Sequence, residues 1–350
     1  MKNKKTIYLE SKKLFLGIAL AVAIFLIISV FLFGTPKEEK KVIVYVSHDQ
    51  DISEPILKEF EKSSGIKVEA LYDTEATKTV GLVNRLIVEK SNPRADVFWN
   101  NEVIRSILLK NENVLQPYCS PNANDIPSIY KDKDCYWTGF AARARVILYN
   151  TEKISEKDSP NSLYDFTNPK WKGKACISNP LLGTGSALTA ALFASLGDEN
   201  AKEFYLKMKD NGVSILESPS MVRDQVVSGE CWLGSLDTDD AHDALVAKKP
   251  VIMVFPDQDK EGMGTVLFPN SVMMIKGAPH PEEAKKLIDF ILTSKVEEQL
   301  AESAMQIPLK ANSSVPENIQ KNIKQMDATY EQIYEKLNVS SEFIQEVFLR

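Results

Sequence analysis

Carboxylate, amide and hydroxyl side chains occur in four short clusters whose chemistry suits the binding of a charged solute. The densest is Asp237-Thr238-Asp239-Asp240, where three carboxylates could bind a hard cation through oxygen or an ammonium group through charge-assisted hydrogen bonds. The alternative is a solvated turn in which Asp caps the next helix. The other three clusters are Ser47-His48-Asp49-Gln50-Asp51, Asn100-Asn101-Glu102 and Gly183-Thr184-Gly185-Ser186.

The cluster at residues 183–186 suggests anion chemistry. It opens a predicted helix, and the free backbone N–H groups and dipole at a helix N-terminus favour a negative charge. Simpler interpretations stay open for three of these features. Residues 183–186 could be only a helix-opening turn, Asn100-Asn101-Glu102 a capping loop, and His48 a surface or capping residue rather than a ligand.

The sequence lacks the common catalytic motifs. It has three histidines but no His-Glu-x-x-His pair, no Gly-x-Ser-x-Gly elbow and no Walker loop. We therefore expect no enzyme, with a metal-dependent hydrolase built on the aspartates as a remote alternative. The net charge is −6 although residues 1–34 carry five lysines and one glutamate, so the remainder is strongly acidic. This argues against nucleic-acid binding, which needs a basic face.

An alternation of strands and helices must position these clusters. Residues 42–46 are a continuous β-rich apolar run, typical of a strand buried on both faces, and a helix and a second strand at 66–70 complete a right-handed βαβ unit. Further strands are predicted at 95–99, 145–149, 175–177, 231–234 and 250–255. The clusters follow strands, and in an open α/β sheet ligands bind at the carboxyl ends of strands. The sequence therefore predicts an α/β fold with a site at this edge.

The first 34 residues have a different composition from the rest. Lysines precede an uninterrupted apolar run over residues 14–33, which at 1.5 Å per residue reaches about 30 Å, the thickness of a bilayer core. Bulky residues stand where signal peptidase needs small ones. We expect a cytoplasmic basic segment at 1–13, a transmembrane signal anchor at 14–34, a stalk at 35–41 and an extracytoplasmic body in a single-pass arrangement. Cleavage at an unorthodox site is the alternative.

Four cysteines lie in the expected extracytoplasmic body. An even count in an oxidising compartment favours disulfides over reduced core thiols, the other interpretation. Cys119 and Cys135 bracket one loop, so a local bridge between them is expected. Cys176 and Cys231 would pair only if the short apolar stretches that they open are neighbouring strands.

Six segments in register resemble the extracellular solute-binding proteins of ABC importers, and most of all their ferric-iron-binding branch. The segments are VIVY at 42–45, EFEKSSGIKV at 59–68, ADVFW at 95–99, RARV at 143–146, PKWKGK at 169–174 and EEAKKLIDF at 282–290. The resemblance covers roughly residues 42–310.

The resemblance implies a two-lobed α/β fold of the periplasmic-binding-protein-like type II, with a hinge of two crossing strands near 139–141 and 265–267. Lobe 1 would comprise residues 42–138 and 265–305, and lobe 2 residues 139–264 and 306–350. Such a receptor closes on its solute and delivers it to a permease with its ATPase. We expect a monomer; a membrane-tethered sensor that binds the same kind of solute and reports to a partner is the alternative.

The resemblance further implies a ligand set. Ferric receptors of this branch place adjacent tyrosines at the strand end that here reads Asp237-Thr238-Asp239-Asp240, without tyrosine. If a metal is bound, as iron(III) or a divalent cation with a synergistic anion, the expected ligands are Asp239, Asp240 and Glu102. A small charged organic solute is the other possibility. The complete expected site is Ser47, Asp49, Asn101, Glu102, Arg143, Thr184, Gly185, Ser186, Asp237, Thr238, Asp239 and Asp240, with Arg145 beside Arg143 on the same face of its strand.

Overall fold

The computed structural model describes residues 15–22, 24, 39–73, 80–314 and 322–348. The chain divides into one unit over residues 1–40 and a second over 41–350. Residues 15–22 and 24 are helical, and no helix within the described ranges is long and apolar enough to cross a membrane. The predicted basic segment at 1–13, and most of the anchor at 14–34 and of the stalk at 35–41, lie outside the described residues.

Ten strands within the described part of the chain form one mixed sheet. Its neighbours run in the order β2-β1-β3-β10-β5-β8-β6-β7, with β4 paired to β10 and β9 to β5. The strands are β1 Lys41–Val46, β2 Lys67–Tyr72, β3 Val97–Asn100, β4 Leu115–Gln116, β5 Thr138–Asn150, β6 Ala175–Ser178, β7 Ser214–Leu216, β8 Leu233–Asp237, β9 Val251–Val254 and β10 Leu267–Ile275.

Helices connect and cover these strands. They are α1 Gln50–Ser64, α2 Val80–Val88, α3 Ile104–Asn111, α4 Gly183–Leu196, α5 Asp198–Asp210, α6 Pro219–Ser228, α7 Thr238–Val246, α8 Pro281–Ile291, α9 Ser294–Ala304 and α10 Tyr330–Phe348. The C-terminal helix α10 packs against α4 and also against α3.

The long strand β5 belongs to both halves of the sheet. Its residues 138–144 pair antiparallel with β10, whereas residues 145–150 pair antiparallel with β8 and β9. Parallel strands β1, β2 and β3 lie on one side of this junction, and parallel strands β6, β7 and β8 on the other. The result is a two-lobed α/β fold, as expected. The separate strand predicted at 145–149 and the crossing predicted near 139–141 are one strand of 13 residues.

A bulge interrupts the pairing between β5 and β10. The register shifts between Pro269 and Asn270, and Ala141 opposite has a backbone φ of +38°, a left-handed value that residues other than glycine rarely adopt. Neighbouring side chains hold the conformation, because the Ala141 N–H donates to Glu297 Oε1 at 2.9 Å and its carbonyl accepts from Asn270 Nδ2 at 2.6 Å.

Both expected disulfides are present. Cys119 and Cys135 are bridged with their Cα atoms 5.1 Å apart. Cys176 lies on β6 opposite Gly234 of the parallel strand β8, and this pairing brings Cys231 close enough to bridge, with a Cα separation of 6.0 Å. The sequence condition for the second bridge, that the two stretches are neighbours, is therefore satisfied.

The first βαβ unit shows how the fold carries polar residues to the sheet edge. β1 is almost wholly buried, and the chain leaves its carboxyl end into Ser47, His48 and Asp49. Helix α1 then buries Ile56, Leu57 and Phe60 on one side and ends at Gly65, whose left-handed conformation lets its N–H cap the carbonyl of Glu61. The opposite side of α1 is left to face outward from the core.

Candidate functional site

Strand-end residues from β1, β3, β6 and β8 line two cavities that share Pro219 and Asp240. The larger, which we call the cleft, has a volume of about 1030 Å³ and includes Ser47, His48 and Asp49. The smaller, which we call the anion pocket after its predicted ligand, has a volume of about 30 Å³. Its described lining residues include Asn101, Arg143, Thr184, Gly185, Asp237 and Asp240. Clusters remote in sequence thus meet at one edge of the sheet.

The aspartates predicted as the densest cluster converge. Carboxylate oxygens of Asp237, Asp239 and Asp240 all lie within 4.8 Å of one another. The fold produces this convergence because β8 ends at Asp237 and α7 begins at Thr238, so the other two aspartates stand in the first turn of the helix. Asp237 and Asp239 are buried, and Asp240 is partly exposed and lines both cavities.

Two arginines of β5 neutralise much of this charge. Arg143 Nη1 lies 3.2 Å from Asp239 Oδ2 and 3.7 Å from Asp237 Oδ2, and Arg145 Nη1 lies 3.0 Å from Asp237 Oδ1. Both arginines are almost fully buried, and they share a face of β5 as their spacing predicts. Arg143 was expected in the binding site with Arg145 beside it. In the structure, aspartates balance the charges of both arginines within the protein, and Arg143 also lines the anion pocket.

The ionisation of this network follows from its geometry. Burial would raise the pKa of Asp237, but the guanidinium groups of Arg145 and Arg143, with a hydrogen bond from Thr184, outweigh burial and hold the pKa below its ordinary value. Burial likewise opposes the charge on Arg143, yet the carboxylates of Asp239, Asp237 and Asp49 raise the pKa of Arg143 above its ordinary value. Asp237 and Arg143 are therefore both charged at neutral pH.

The first turn of α4 combines structural contacts with exposure to the anion pocket. Thr184 Oγ1 donates to Asp237 Oδ2 at 2.6 Å, and Ser186 Oγ accepts from Arg105 Nη2 at 3.0 Å. At position 185 a side chain would collide with the carbonyl oxygen of Asn179, which explains the glycine. Thr184 and Gly185 line the anion pocket, whereas Ser186 is buried outside both cavities.

Three of the predicted site residues have clear roles in holding elements together. Glu102 is fully buried and accepts hydrogen bonds from the backbone N–H groups of Ile104 and Arg105 at the start of α3, with Arg105 Nη1 3.5 Å from its carboxylate. The structure does not bring it to the aspartates. Thr238 Oγ1 accepts from the N–H of Ala144 and lines neither cavity. The carbonyl of Asn101 accepts from Arg143 Nη2, and Asn101 also lines the anion pocket.

The cleft also contains functional candidates that the sequence analysis missed. They come from helices and from the end of one strand: Glu59, Arg223, Asp243, Gln299 and Glu302 lie on helices, and Asp73 follows β2. The sequence contained one indication of which face of α1 lines the cleft. Asp51, Pro55 and Glu59 are four residues apart, so they lie on one face of the helix, and all three line the cleft. No tyrosine is among the described residues that line the cleft or the anion pocket.

The fold and the site define a class, the two-lobed α/β proteins that hold a solute in a cleft at the strand ends. The sequence matches the family of bacterial extracellular solute-binding proteins over residues 93–336, and the chain belongs to that family. This is a family of binding proteins.

Individual relatives are distant but cover most of the chain. Iron uptake protein A1 of Synechocystis is 26% identical over 288 residues, 79% of this chain and 78% of that protein. A periplasmic protein of Salmonella typhimurium named for binding 2-aminoethylphosphonate is 26% identical over 301 residues, 82% of this chain and 84% of that protein. Iron-bound HitA of Pseudomonas aeruginosa superposes with a TM-score of 0.80 at 20% identity, over 88% of this chain and 99% of that one.

Proposed function

We propose that this protein is the extracytoplasmic receptor of an ABC importer, which captures a small charged solute in the cleft and delivers it to a permease and its ATPase. The observation that carries the proposal is the cleft itself, lined by residues of the β1–α1 side and of the β8–α7 side of one sheet. Solute that contacts both sides would favour a closed arrangement, since differential contacts shift a hinge equilibrium. The proposed role is binding without catalysis, as a monomer.

The lobe boundaries are part of this proposal. Lobe 1 would comprise residues 42–138 and 265–305, and lobe 2 residues 139–264 and 306–350. The sheet supports these boundaries because β5 and β10 connect the two groups of parallel strands. The bulge at Ala141 interrupts the pairing of these two strands, which makes it a natural place for the chain to flex.

The chemistry of the site restricts the solute. Relatives are named for iron and for an aminophosphonate, so a metal with an anion and a small organic zwitterion both stay in view. The three aspartates offer oxygen donors for a metal, but oxygens of Asp237 and Asp239 already bind arginines. Fewer oxygens then remain for a hard cation such as Ca²⁺, which takes six to eight of them, whereas an ammonium group needs at most three acceptors. The lining also lacks phenolate donors among its described residues. We therefore favour a solute that carries its positive charge on an organic group.

Replacing Asp240 tests the solute-binding role with little structural cost. Asp240 is partly exposed and lines both cavities, so Asp240→Asn should weaken binding of the co-purifying solute about 10- to 150-fold, the range for one lost charge-assisted contact. The melting temperature should barely change. Native mass spectrometry and elemental analysis first identify the solute. Calorimetric titration then measures its affinity for the wild type and for Asp240→Asn.

The matched control for Asp240→Asn is Glu203→Gln. Glu203 lies on α5 in an exposed pair with Lys207, so this variant changes the net charge equally but outside the cleft. Affinity in Glu203→Gln should stay within twofold of the wild type. If Asp240→Asn and Glu203→Gln bind the solute equally tightly, the residues at the junction of β8 and α7 are not part of the binding site.

We also propose that the body is held at the outer face of the cell membrane by the apolar segment 14–34. The composition of this segment supports an uncleaved anchor. A tethered sensor would use the same arrangement, and it is the second function we consider, favoured only by the anchor.

After expression in bacteria, the full-length chain should remain in the membrane fraction through a high-salt wash. A soluble form about 30 residues shorter would contradict the anchor.

A further inference from the structure

Negative charge dominates the lining of the cleft. Eight of its twenty described lining residues are carboxylates, and one is arginine: Asp49, Asp51, Glu59, Asp73, Asp239, Asp240, Asp243 and Glu302 against Arg223. Ion pairs engage some of them, with Lys295 at Glu59, Arg223 at Asp243 and Arg143 at Asp239. The carboxylates come from both sides of the cleft, from the β1–α1 side and from α7.

Carboxylates alone do not identify a ligand, but a buried hydroxyl beside them gives independent evidence. Ser47 lines the cleft with 1% of its surface exposed, and its Oγ has no hydrogen-bond partner among the described residues. A buried polar atom that lacks a partner is costly, and the cost is removed if a ligand supplies the partner.

Gln299 indicates which kind of partner is missing. Its Nε2 donates to Glu59 Oε2 at 2.6 Å, and since a carboxylate accepts, this contact fixes the orientation of the amide. The buried Oε1 is then an acceptor without a donor among the described residues, and Gln299 lines the cleft. A carbonyl oxygen can be satisfied by an N–H or O–H donor. The missing group is therefore a hydrogen-bond donor.

We propose that the solute is an organic cation with at least two separated N–H-bearing positive groups, one bound at Asp240 and Asp243 and another at Asp49, Asp51 and Ser47. This inference rests on the proposed receptor function and specifies its substrate class. Ammonium groups meet both requirements, because they bring positive charge to the carboxylates and N–H donors to Ser47 and Gln299.

The size of the cleft and the closing motion agree with an extended cation. A volume of about 1030 Å³ lies at the upper end of small-molecule pockets, which span roughly 300–1,000 Å³, and far exceeds what one ion with a small anion fills. Closing the lobes would bring two sets of like charges together, which is unfavourable. A dication placed between the two sets of carboxylates makes the electrostatic energy of closing favourable. The closed state therefore becomes specific for solutes with two positive groups.

Calorimetric titration of the full-length protein tests the proposed class of solute. The protein is first dialysed extensively at high salt, and four probes are then titrated at constant ionic strength. They are spermidine, 1,4-diaminobutane, n-butylamine and 2-aminoethylphosphonate. Spermidine or 1,4-diaminobutane should bind at least tenfold more tightly than n-butylamine and 2-aminoethylphosphonate. Asp49→Asn and Asp240→Asn should each weaken that binding tenfold or more, and Ser47→Ala about fivefold, whereas the control Glu203→Gln should stay within twofold.

Three outcomes would overturn this inference. One is that neither polyamine binds at 1 mM. Another is that Glu203→Gln loses as much affinity for the polyamine as Asp49→Asn and Asp240→Asn do, which would indicate non-specific charge attraction. If 2-aminoethylphosphonate binds more tightly than the polyamines, the solute is not a dication. The proposed receptor function would not be contradicted by that result. The receptor function would fail only if a tightly held solute left the separation of the two lobes unchanged.

Discussion

Replacing Asp237 by alanine should lower the free energy of unfolding by about 3–5 kcal/mol, the cost of breaking a buried ion pair from one side. The variant leaves Arg145 and Arg143 buried without their shared carboxylate, at 3.0 Å and 3.7 Å from its oxygens in the wild type. It also removes the acceptor of the Thr184 hydroxyl. Urea unfolding followed by circular dichroism measures the loss.

The control for Asp237→Ala is Asp243→Ala, six residues further along the chain on α7. Asp243 belongs to the same segment of chain but its side chain is 65% exposed and pairs with Arg223 at the surface, so its removal should cost less than about 1 kcal/mol. If Asp237→Ala and Asp243→Ala unfold at the same urea concentration, the network around Arg145 contributes no net stability.

The pH dependence of the same network has a definite sign. Because the pKa of Asp237 is lower in the folded protein than in the unfolded chain, the unfolded state binds the proton more readily in the interval between the two values. The contribution of Asp237 is fully present above the unfolded pKa of about 3.9 and is lost as the pH falls through the folded pKa. Wild-type protein should therefore lose stability more steeply below about pH 4 than Asp237→Asn does.

Replacing Glu297 by alanine should lower the free energy of unfolding by about 3–9 kcal/mol. This fully buried carboxylate accepts from the N–H groups of Ala141, Leu309 and Lys310 at 2.9–3.0 Å and from the Ser313 hydroxyl at 3.2 Å. Three buried backbone donors would lose their acceptor, at about 1–3 kcal/mol each. Thermal and urea unfolding measure the loss.

Two further variants show whether the acceptor atoms of Glu297 are responsible. Glu297→Gln keeps one acceptor oxygen and should lose roughly half as much stability. Glu298→Ala removes the neighbouring carboxylate, which accepts one exposed bond from the N–H of Ser314, and should cost less than about 1 kcal/mol. Equal losses in Glu297→Ala and Glu298→Ala would mean that the bulge at Ala141 does not depend on Glu297.

Several short apolar runs were predictable as strands from the sequence. The runs at 42–46, 175–177 and 250–255 are β1, β6 and β9, each within a residue of its predicted bounds. β10 was not predicted as a strand beyond its first residue, although all nine of its positions are buried. A strand covered on both faces shows no alternation of polar and apolar residues, so its length cannot be derived from a period of two.

The site was predictable where it depends on strand ends and not where it depends on tertiary contacts. Asp49, Asp239 and Asp240 lie on the cleft because each follows the end of a strand. Sequence spacing could not show that Arg143 and Arg145 neutralise Asp237 and Asp239, because this pairing arises from the alignment of β5 with β8, more than ninety residues away along the chain. The role of Glu102 was hidden in the same way, since an acidic residue before a helix can cap it or face a ligand.

The proposed receptor function depends on the closing of two lobes over the cleft, and one distance measures this motion directly. Spin labels on cysteines introduced at the exposed positions Lys62 of α1 and Val246 of α7 report the separation of the two sides by pulsed dipolar spectroscopy. A control pair at Lys62 and Asn111 lies on one side only. We expect that the solute retained through purification shortens the Lys62–Val246 distance and leaves the Lys62–Asn111 distance unchanged. An unaltered Lys62–Val246 distance with solute shown to be bound would contradict the closing of the lobes.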